Sequence, residues 1–558
     1  MNPVAKIGGH LLVDALDAQG VDTVFCVPGE SYLAVLDGLY EARERIRLIV
    51  CRHEGGAAYM AEAYGKLTGT PGICMVTRGP GAANASIGVH TAMQDSTPLI
   101  LFIGQVASDC ADREAFQEVD YRRMYAPLAK WVAQIDRADR IPEYISRAFH
   151  TAMSGRKGPV VLALPEDMLA VRTPAAKPPG KYRPVQASPS QASLRALESL
   201  LRGAQRPLAI AGGSGWNAQA RQQFQHFAEQ AHLPVACAFR FQDLFDNNHP
   251  NYIGDAGIGI NPRLAGRIGN ADVLLVAGAR LGEATTSGYT LLDIPCPRQQ
   301  LIHVHPGAEE LGSVYQGALL INSGMAEFAD ALSQTRIDGN AWREQVREAR
   351  AEYEAWSAPV TIPGKLQMGE VMRFLNERLP ADAILTNGAG NYTAWLHRFY
   401  RYRGFRTQLA PTGGAMGYGV PAGVAAKLVH PERVVVSFSG DGCFMMNGQE
   451  LATAMQYDAH VVFIVVNNGM YGTIRMHQEK HFPARVYGSA LHNPDFAALA
   501  RAHGAHGEVV EETAQFAPAF ERALAAGRPA LLELRIDPRA ITPGTTLDAV
   551  RAQALKAP

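Results

Sequence analysis

The sequence predicts an α/β fold made of three doubly wound domains, each built on a parallel sheet. Short apolar runs alternate with Ala-rich helical patterns along the whole chain. Two segments that contain several Pro and Ser residues interrupt this alternation, and 558 residues exceed what one hydrophobic core usually holds. We therefore expect domains at residues 1–175, 190–345 and 366–558.

Each predicted domain rests on its own set of apolar strands. The N-terminus resembles an amphipathic helix, and linkers are expected at residues 173–190 and 357–367, the second one after a charged helical stretch at 341–356. The predicted strands are VDTVFCV, IRLIVC, GICMVT and PLILFIG in the first domain, PLAIAGG, ADVLLVAGA and QQLIHVHP in the second, and AILTNGAG, RVVVSFSGDG, VVFIVVNN and PALLELRI in the third.

The composition excludes several classes of function. Lys and Arg total 52 against 53 Asp and Glu, so the net charge of -1 offers no electrostatic footprint for nucleic acid or an anionic membrane. The seven cysteines lack metal-ligand or paired spacing. With neither a secretion signal nor an apolar run of the roughly 20 residues that span a membrane, we expect a soluble, cytoplasmic protein with a small-molecule partner.

The strongest local signal is Gly440-Asp441-Gly442, followed after 24 residues (443–466) by Asn467-Asn468. Both groups follow predicted strands, with a predicted helix around residues 449–456 between them, so they share the sheet edge at which α/β proteins bind ligands. A carboxylate, an amide oxygen, a backbone carbonyl and diphosphate oxygens suit Mg²⁺. Each motif alone is equally typical of a turn, as is the GGSG at Gly212; the combination favours a cofactor site.

Together with four further motifs, these residues resemble the thiamine-diphosphate enzymes of the acetolactate synthase and pyruvate oxidase type. The resemblance covers essentially the whole chain. It implies a pyrimidine-binding, a central and a diphosphate-binding domain, and a homodimer or homotetramer with active sites between subunits. The motifs are RHEGGAAYMAEAYGKLTG from Arg52, RGPGAAN from Arg78, EAFQEVD from Glu114 and GGAMGYGVPA from Gly413.

The resemblance assigns roles to individual residues. Glu54 matches the glutamate that bonds the aminopyrimidine ring and promotes removal of the thiazolium C2 proton; a solvated residue at a helix start is the alternative. Met416 matches the apolar residue that keeps the cofactor bent, although core packing would also suit a methionine. Asp441 and Asn468 would bind Mg²⁺ with the Met470 carbonyl. The remaining expected cofactor contacts are Gly414, Gly440, Gly442 and Tyr471.

Two residues match the substrate pocket of acetolactate synthases. Phe116 and Gln117 lie in EAFQEVD, where an amide can stabilise an oxygen that gains charge; an ordinary loop is an equally open interpretation.

The chain also departs from the acetolactate synthase pattern around this pocket. His477 replaces a tryptophan that shapes acceptor preference in the family, which implies a more polar pocket unless His477 is a surface residue. Paired glycines become Gly29-Glu30, a serine becomes Arg78 and a lysine becomes Glu166. Arg78 would pair either with a substrate carboxylate or, as we expect, with an oppositely charged neighbour.

The resemblance implies a carboligase that decarboxylates pyruvate or a related 2-ketoacid and adds the remaining unit to a second carbonyl. A 2-ketoacid decarboxylase is the alternative, although the histidine pair typical of such enzymes is absent from 104–120. A cofactor-binding protein without turnover is the alternative from another class, and it would not need Glu54. The family often binds FAD, but the residues after Gly278-Ala279-Arg280 do not match the flavin pattern, so FAD is not expected.

Overall fold

The computed structural model describes residues 5–174 and 178–556 and confirms the predicted fold class. Within these residues, three six-stranded parallel sheets are flanked by helices. Residues 1–4, 175–177 and 557–558, which fall in the predicted first domain, first linker and third domain, lie outside the described part. Among the described residues, those up to 185, with 424–429, form one compact unit, and the others form a second one.

The first sheet is built by the N-terminal part of the chain. Its elements are β1 (Ala5–Ile7), α1 (Gly8–Gln19), β2 (Thr23–Cys26), α2 (Leu33–Glu41), β3 (Arg47–Val50), α3 (Glu54–Thr68), β4 (Gly72–Val76), α4 (Pro80–Asp95), β5 (Leu99–Gln105), α5 (Tyr121–Tyr125), β6 (Trp131–Gln134), α6 (Ile141–Met153), β7 (Pro159–Pro165), α7 (Glu166–Ala170) and β8 (Arg172–Pro174). The strand order is β3-β2-β4-β5-β7-β6. The order reverses between β2 and β4, which opens a ligand crevice at their carboxyl ends.

The second sheet occupies the middle of the chain. Its elements are α8 (Gln191–Arg202), β9 (Pro207–Ala211), α9 (Ala218–Gln230), β10 (Val235–Ala238), β11 (Tyr252–Ala256), α10 (Pro262–Asn270), β12 (Val273–Ala277), β13 (Gln300–His305), β14 (Leu319–Asn322), α11 (Met325–Ser333) and α12 (Arg343–Trp356). The strand order is β11-β10-β9-β12-β13-β14. Strands β9, β10 and β12 are buried along their whole length, which explains their continuous apolar sequences.

The third sheet follows the second linker. Its elements are α13 (Met368–Arg378), β15 (Ile384–Asn387), α14 (Thr393–Phe399), β16 (Gln408–Leu409), α15 (Gly419–Val429), β17 (Val435–Gly440), α16 (Asp441–Asn447), α17 (Leu451–Gln456), β18 (Val462–Asn467), α18 (Gly472–His481), α19 (Phe496–Ala502), β19 (His506–Val510), α20 (Thr513–Ala525), β20 (Ala530–Arg535) and α21 (Leu547–Lys556). The strand order is β16-β15-β17-β18-β20-β19. Its reversal point lies between β15 and β17.

One sequence prediction needs correction. The predicted first linker begins too early, because β8 pairs antiparallel with β1 and closes a two-stranded ribbon. Three-residue strands carry too little periodicity to be recognised. The helix expected around residues 449–456 is confirmed as α17, and a further helix, α16, precedes it from Asp441.

A buried polar interface joins the second and third sheets within their compact unit. The Asp243 carboxylate accepts hydrogen bonds from the backbone nitrogens of Thr407, at 2.9 Å, and Gln408, at 3.2 Å. The side chain of Asn247 accepts from the Tyr402 nitrogen at 2.9 Å. Because these buried groups satisfy one another, the interface fixes the two sheets together.

Across residues 5–174 and 178–556, we find no helix that combines the length and the apolar character required to cross a membrane.

Candidate active site

Asp441 lies at the carboxyl end of β17, beside the reversal point of the third sheet. β17 ends at Gly440, and Gly440 is paired with Val466 of β18, so the loops that follow the two strands emerge side by side. Gly442 is required here, because a Cβ at that position would lie 2.5 Å from the Tyr471 ring. We call this carboxyl edge, with residues 440–442, 467–471 and Asn493, the cofactor edge.

The loop after β18 folds back onto Asp441. The backbone nitrogen of Gly469, whose φ is +69°, donates to Oδ2 of Asp441 at 2.9 Å and to Oδ1 of Asn467 at 3.1 Å. The Met470 nitrogen donates to Oδ1 of Asn468 at 3.3 Å, and Met470 forms an antiparallel bridge with Ala490. The structure thus brings the three predicted metal ligands, Asp441, Asn468 and Met470, to one place.

Asn493 completes this network and was not predicted from the sequence. Its side-chain nitrogen donates to Asp441 Oδ2 at 2.8 Å and to Asn467 Oδ1 at 3.0 Å. The side-chain nitrogen of Asn467 in turn donates to the buried carboxylate of Glu533 at 2.8 Å. Asn493 precedes α19 in an irregular segment, so no strand or motif marks it in the sequence.

The burial of the Asp441 carboxylate indicates which kind of ligand this edge can bind. Asp441 is only 3% exposed, and it forms no ion pair among the residues that the structure describes. Burial raises the pKa of Asp441 above its ordinary value, against hydrogen bonds from Gly442, Asn493 and Gly469 that lower it. A buried carboxylate without a cation favours a bound metal. Oxygen ligands from Asp441, Asn468 and Met470 suit Mg²⁺ and the diphosphate that it would hold.

A second loop meets the cofactor edge from the other side of the reversal point. The Cys443 sulfur accepts from the Gly417 nitrogen at 3.2 Å and contacts the Tyr392 hydroxyl at 3.4 Å. The Tyr392 hydroxyl also accepts from the Gly388 nitrogen at 3.0 Å. Met416 is half-buried against the core of this domain, while Gly414, with a φ of +68°, has open space where its Cβ would point. The loop that carries the predicted cofactor contacts Gly414 and Met416 is therefore held by the hydrogen bond at Gly417, while the space beside Gly414 is free of protein atoms.

The helix after the cofactor edge carries His477. This residue is exposed on α18, and its ring lies parallel to that of His481 at a centroid distance of 6.1 Å. The start of α18 is tied to the loop after β15, because the Thr473 hydroxyl donates to Asn391 Oδ1 at 2.8 Å. His477 is thus a surface residue in the described part of the chain.

Glu54 is the first residue of α3 in the first domain. The side chain of His53 caps this helix by accepting from the Gly55 nitrogen at 3.0 Å. The Asn84 side chain of α4 donates to Glu54 Oε2 at 2.9 Å, and a Cβ at Gly81 would lie 3.3 Å from Oε1. The carboxylate is thus partly exposed and held by one neutral donor, an arrangement that leaves an oxygen for a ligand.

The predicted substrate residues of the first domain lie at the carboxyl edge of its sheet. Gln117 has a φ of +66° and packs its backbone against Gly79, while Phe116 is 76% exposed. Arg78 Nη1 donates to Glu166 Oε2 at 2.8 Å. We call this edge, with Arg78, Phe116, Gln117 and Glu166, the substrate edge.

Gly29 and Glu30, the other predicted pocket residues, follow β2 on the opposite side of the reversal point. A Cβ at Gly29 would lie 2.4 Å from the side chain of Thr77, so the two loops are in close contact. Glu30 is exposed. The loop after β2 and the loop after β4 thus contact each other at Gly29 and Thr77.

The reversal point of the second sheet is crowded where a flavin would be expected. A Cβ at Gly278 would lie 2.4 Å from the Gly212 carbonyl oxygen and 2.8 Å from the sulfur of Met325. The Trp216 indole donates to the same carbonyl at 2.9 Å. Arg280 pairs with Glu310 at 3.1 Å. The backbone at this edge is thus closely packed, and the Arg280 charge has a partner.

Three family models match consecutive parts of the chain. They are the N-terminal thiamine pyrophosphate binding domain at residues 6–124, the central domain of thiamine pyrophosphate enzymes at 194–332, and the C-terminal binding domain at 388–534.

Curated relatives match almost the full length. Acetolactate synthase isozyme 2 large subunit of Escherichia coli (strain K12) is 30% identical over 533 residues, 95% of each chain. Acetolactate synthase large subunit of Parasynechococcus marenigrum (strain WH8102) is 32% identical over 557 residues, 96% of this chain and 88% of the relative. The chain therefore belongs to the thiamine pyrophosphate enzymes, among the relatives of acetolactate synthase large subunits, and is a thiamine-diphosphate-dependent enzyme of carbon–carbon bond chemistry.

Proposed function

We propose that this enzyme is a Mg²⁺-dependent carboligase that decarboxylates a 2-ketoacid and joins the remaining unit to a second carbonyl compound, as an acetolactate synthase does. The buried Asp441 carboxylate carries the proposal, because it has a network of hydrogen-bond donors but no cation among the described residues. A partly exposed Glu54 at the start of α3 supplies the acid that a mere binding protein would not need.

The cofactor edge would hold the metal and the diphosphate. Asp441 provides the charged oxygen, and Asn468 and the Met470 carbonyl provide neutral ones, while Gly440, Gly442, Gly414, Met416 and Tyr471 line the cofactor. Thiamine diphosphate, when bound, supplies a carbon nucleophile and an electron sink. Asn493 would keep the Asp441 carboxylate in place, as outer-shell groups do at metal sites.

Glu54 would act on a proton of the aminopyrimidine ring. Its Oε2 already accepts from Asn84, so the carboxylate is oriented before the cofactor arrives. Holding a proton at the ring nitrogen moves the amino group toward the form that removes the C2 proton. Gln117 would donate to the substrate oxygen that gains charge, and Phe116 would cover the apolar side of the substrate.

The same proposal includes the assembly and the remaining features of the chain. We propose a homodimer or homotetramer with active sites between subunits, domains at 1–175, 190–345 and 366–558, a cytoplasmic location and no FAD. The crowding around Gly278 and the Arg280–Glu310 pair support the last point.

A product analysis tests the proposal. The protein is incubated with thiamine diphosphate, Mg²⁺ and pyruvate, and acetolactate, acetaldehyde and residual pyruvate are quantified together. Acetolactate as the main product is expected. Acetaldehyde alone would instead identify a decarboxylase, and no consumption of pyruvate or of any other 2-ketoacid in a panel would identify a binding protein.

A further inference from the structure

A cavity of about 430 Å³ opens where α12, the linker that follows it, α13 and the segment after α14 meet. All of these elements belong to the second compact unit. The described residues that line the cavity include none from the cofactor edge. Because pockets for small molecules typically measure about 300–1,000 Å³, the cavity is large enough for a ligand other than the cofactor.

Three arginines line this cavity. They are Arg373 of α13 and Arg401 and Arg403 of the segment after α14. The acidic residues of the lining are Glu354 and Glu377, so arginines outnumber them. We call the cavity defined by these five residues the arginine cavity. It has a net positive charge in a chain whose net charge is -1.

Both acidic residues of the arginine cavity are already paired. Glu354 Oε1 accepts from Nε of Arg350 at 3.0 Å, and Glu377 Oε1 accepts from Nη1 of Arg373 at 3.1 Å. Arg373 also pairs with Glu370 at 2.7 Å. The carboxylates around the cavity are therefore engaged with Arg350 and Arg373.

Arg401 and Arg403 are the cations of the cavity that lack a carboxylate. Nη2 of Arg403 donates to the Leu379 carbonyl oxygen at 2.6 Å, and its side chain also interacts with the Tyr400 hydroxyl. The Arg401 guanidinium lies 5.8 Å from the centre of the Tyr353 ring. Neither arginine forms an ion pair within residues 5–174 and 178–556. Since a guanidinium has five N–H donors, both keep donors for an anion that enters the cavity.

The backbone that carries these two arginines is held in place by asparagine side chains. Tyr402 is fully buried, while Arg401 and Arg403 on either side of it line the cavity. The Arg401 nitrogen donates to Asn376 Oδ1 at 2.8 Å, and the Tyr402 nitrogen donates to Asn247 Oδ1 at 2.9 Å. The segment is therefore preorganised, which lowers the entropic cost of binding a ligand.

The number of available donors indicates which anion suits the cavity. A monocarboxylate has one pair of oxygens, which a single arginine fork satisfies. A phosphate monoester has a charge of about −1.5 to −2 at pH 7 and three acceptor oxygens, so it can accept from two guanidinium groups. Ala358 and Pro359 line the same cavity and provide an apolar surface for the rest of the ligand.

We propose that the arginine cavity binds a small molecule that carries a phosphate group, and that Arg401 and Arg403 bind this phosphate. Glu377, whose side chain is 64% exposed, opposes the bound phosphate by charge repulsion. The inference does not rest on the proposed carboligase function, because no residue of the cofactor edge takes part.

Calorimetry on the holoenzyme tests the site. The protein is first saturated with thiamine diphosphate and Mg²⁺, so that a phosphate compound cannot bind in place of the cofactor. It is then titrated with glycerol 3-phosphate and with inorganic phosphate at constant ionic strength. We expect one molecule of either compound per chain. Arg401→Gln should weaken this binding about 10-fold, because charge-assisted hydrogen bonds are lost, and Arg401→Lys should weaken it less.

Two further variants separate a specific site from general charge effects. Glu377→Gln removes a negative charge from the cavity and should strengthen the binding of glycerol 3-phosphate about 3-fold. Arg528→Gln is the matched control for Arg401→Gln, since it removes the charge of an exposed arginine in the same domain. It should leave the affinity unchanged.

Three results would overturn the inference. They are no binding of either phosphate compound to the holoenzyme, equal losses of affinity in Arg401→Gln and Arg528→Gln, and tighter binding of succinate, a dicarboxylate, than of glycerol 3-phosphate. If Arg401→Gln does not fold, as judged by its melting temperature, Glu377→Gln decides, because an unchanged or weaker affinity in that variant would also contradict the site. Carboligase activity does not enter any of these measurements, so a failure of the proposed function would be seen separately.

Discussion

The cofactor edge and the substrate edge are built in opposite ways. At the cofactor edge, the Asp441 carboxylate is buried and surrounded by backbone nitrogens and the Asn493 amide. At the substrate edge, Phe116 is 76% exposed and Arg78 keeps a buried nitrogen without a partner among the described residues. The diphosphate group of the cofactor is not altered in the proposed reaction, so its binding site can be preorganised by hydrogen bonds within the chain. The proposed substrate edge instead presents an exposed ring and a buried donor without a partner among the described residues.

The largest expected effect concerns Glu54, the residue of the first domain for which we propose proton transfer. Glu54→Gln keeps the shape and the contact with Asn84 but cannot exchange a proton. Turnover of pyruvate should fall about 1000-fold, because positioned acid–base groups contribute 10²–10⁴-fold. Cofactor affinity by calorimetry should stay near wild type. Glu44→Gln, an exposed position of the same domain, serves as the control, and wild-type turnover in Glu54→Gln would refute the role of Glu54.

The next effect tests the buried charge at the cofactor edge. Asp441→Ala removes the carboxylate that accepts from Gly442, Gly469 and Asn493. Affinity for thiamine diphosphate in the presence of Mg²⁺ should fall by more than about 100-fold. Isothermal calorimetry with and without Mg²⁺ measures this loss, with Glu432→Ala in the same domain as the control. Equal affinity in both variants would contradict the metal site.

Asn493→Ala tests whether the hydrogen bond that orients the Asp441 carboxylate contributes to Mg²⁺ affinity, in addition to the proposed metal ligands. The alanine removes one of the two donors that Asp441 Oδ2 and Asn467 Oδ1 share and leaves only the Gly469 nitrogen between them. Because outer-shell partners typically contribute 10–100-fold to metal affinity, we expect about 30-fold weaker binding of Mg²⁺. Asn248→Ala is the matched control, since Asn248 is exposed. No difference between the two variants would show that backbone donors alone orient Asp441.

The smallest effect concerns the support of α18, the helix after the cofactor edge. The Glu479 side chain is fully buried and bonds Arg551 of α21 at 2.8 Å, and these contacts lower its pKa to about 2 from an ordinary 4.5. The resulting stabilisation is present above pH 4.5 and is lost as the pH falls toward 2. Arg551→Ala should cost about 1.5 kcal/mol at neutral pH, because Arg475 remains as a partner.

Urea unfolding at pH 7 and pH 3 measures this difference, with the exposed Arg528→Ala as control. The gap between the two variants should shrink at pH 3. A gap that stays constant or widens would contradict the assignment of the effect to the Glu479 charge.

The sequence predicts those parts of the site that follow long apolar strands. Asp441 and Asn468 were recognised because β17 and β18 are six-residue buried strands whose carboxyl ends meet in a parallel sheet. Asn493 and the Arg78–Glu166 pair were not assembled from the sequence. Their contacts join distant loops, and only the folded backbone sets which loop residues come within hydrogen-bond distance. The ribbon of β1 and β8 was missed because each of its strands has only three residues, too few to show a periodic pattern.

The exchange of the C2 proton of bound thiamine diphosphate for deuterium tests the central claim most directly. In the presence of Mg²⁺, proton NMR after rapid quenching compares the free cofactor, the wild-type enzyme and Glu54→Gln. Exchange in the wild type should be faster than in the free cofactor by at least about 100-fold, and Glu54→Gln should lose that acceleration. A wild-type enzyme that binds the cofactor but exchanges its proton at the free rate would contradict the assignment of this chain as an active carboligase.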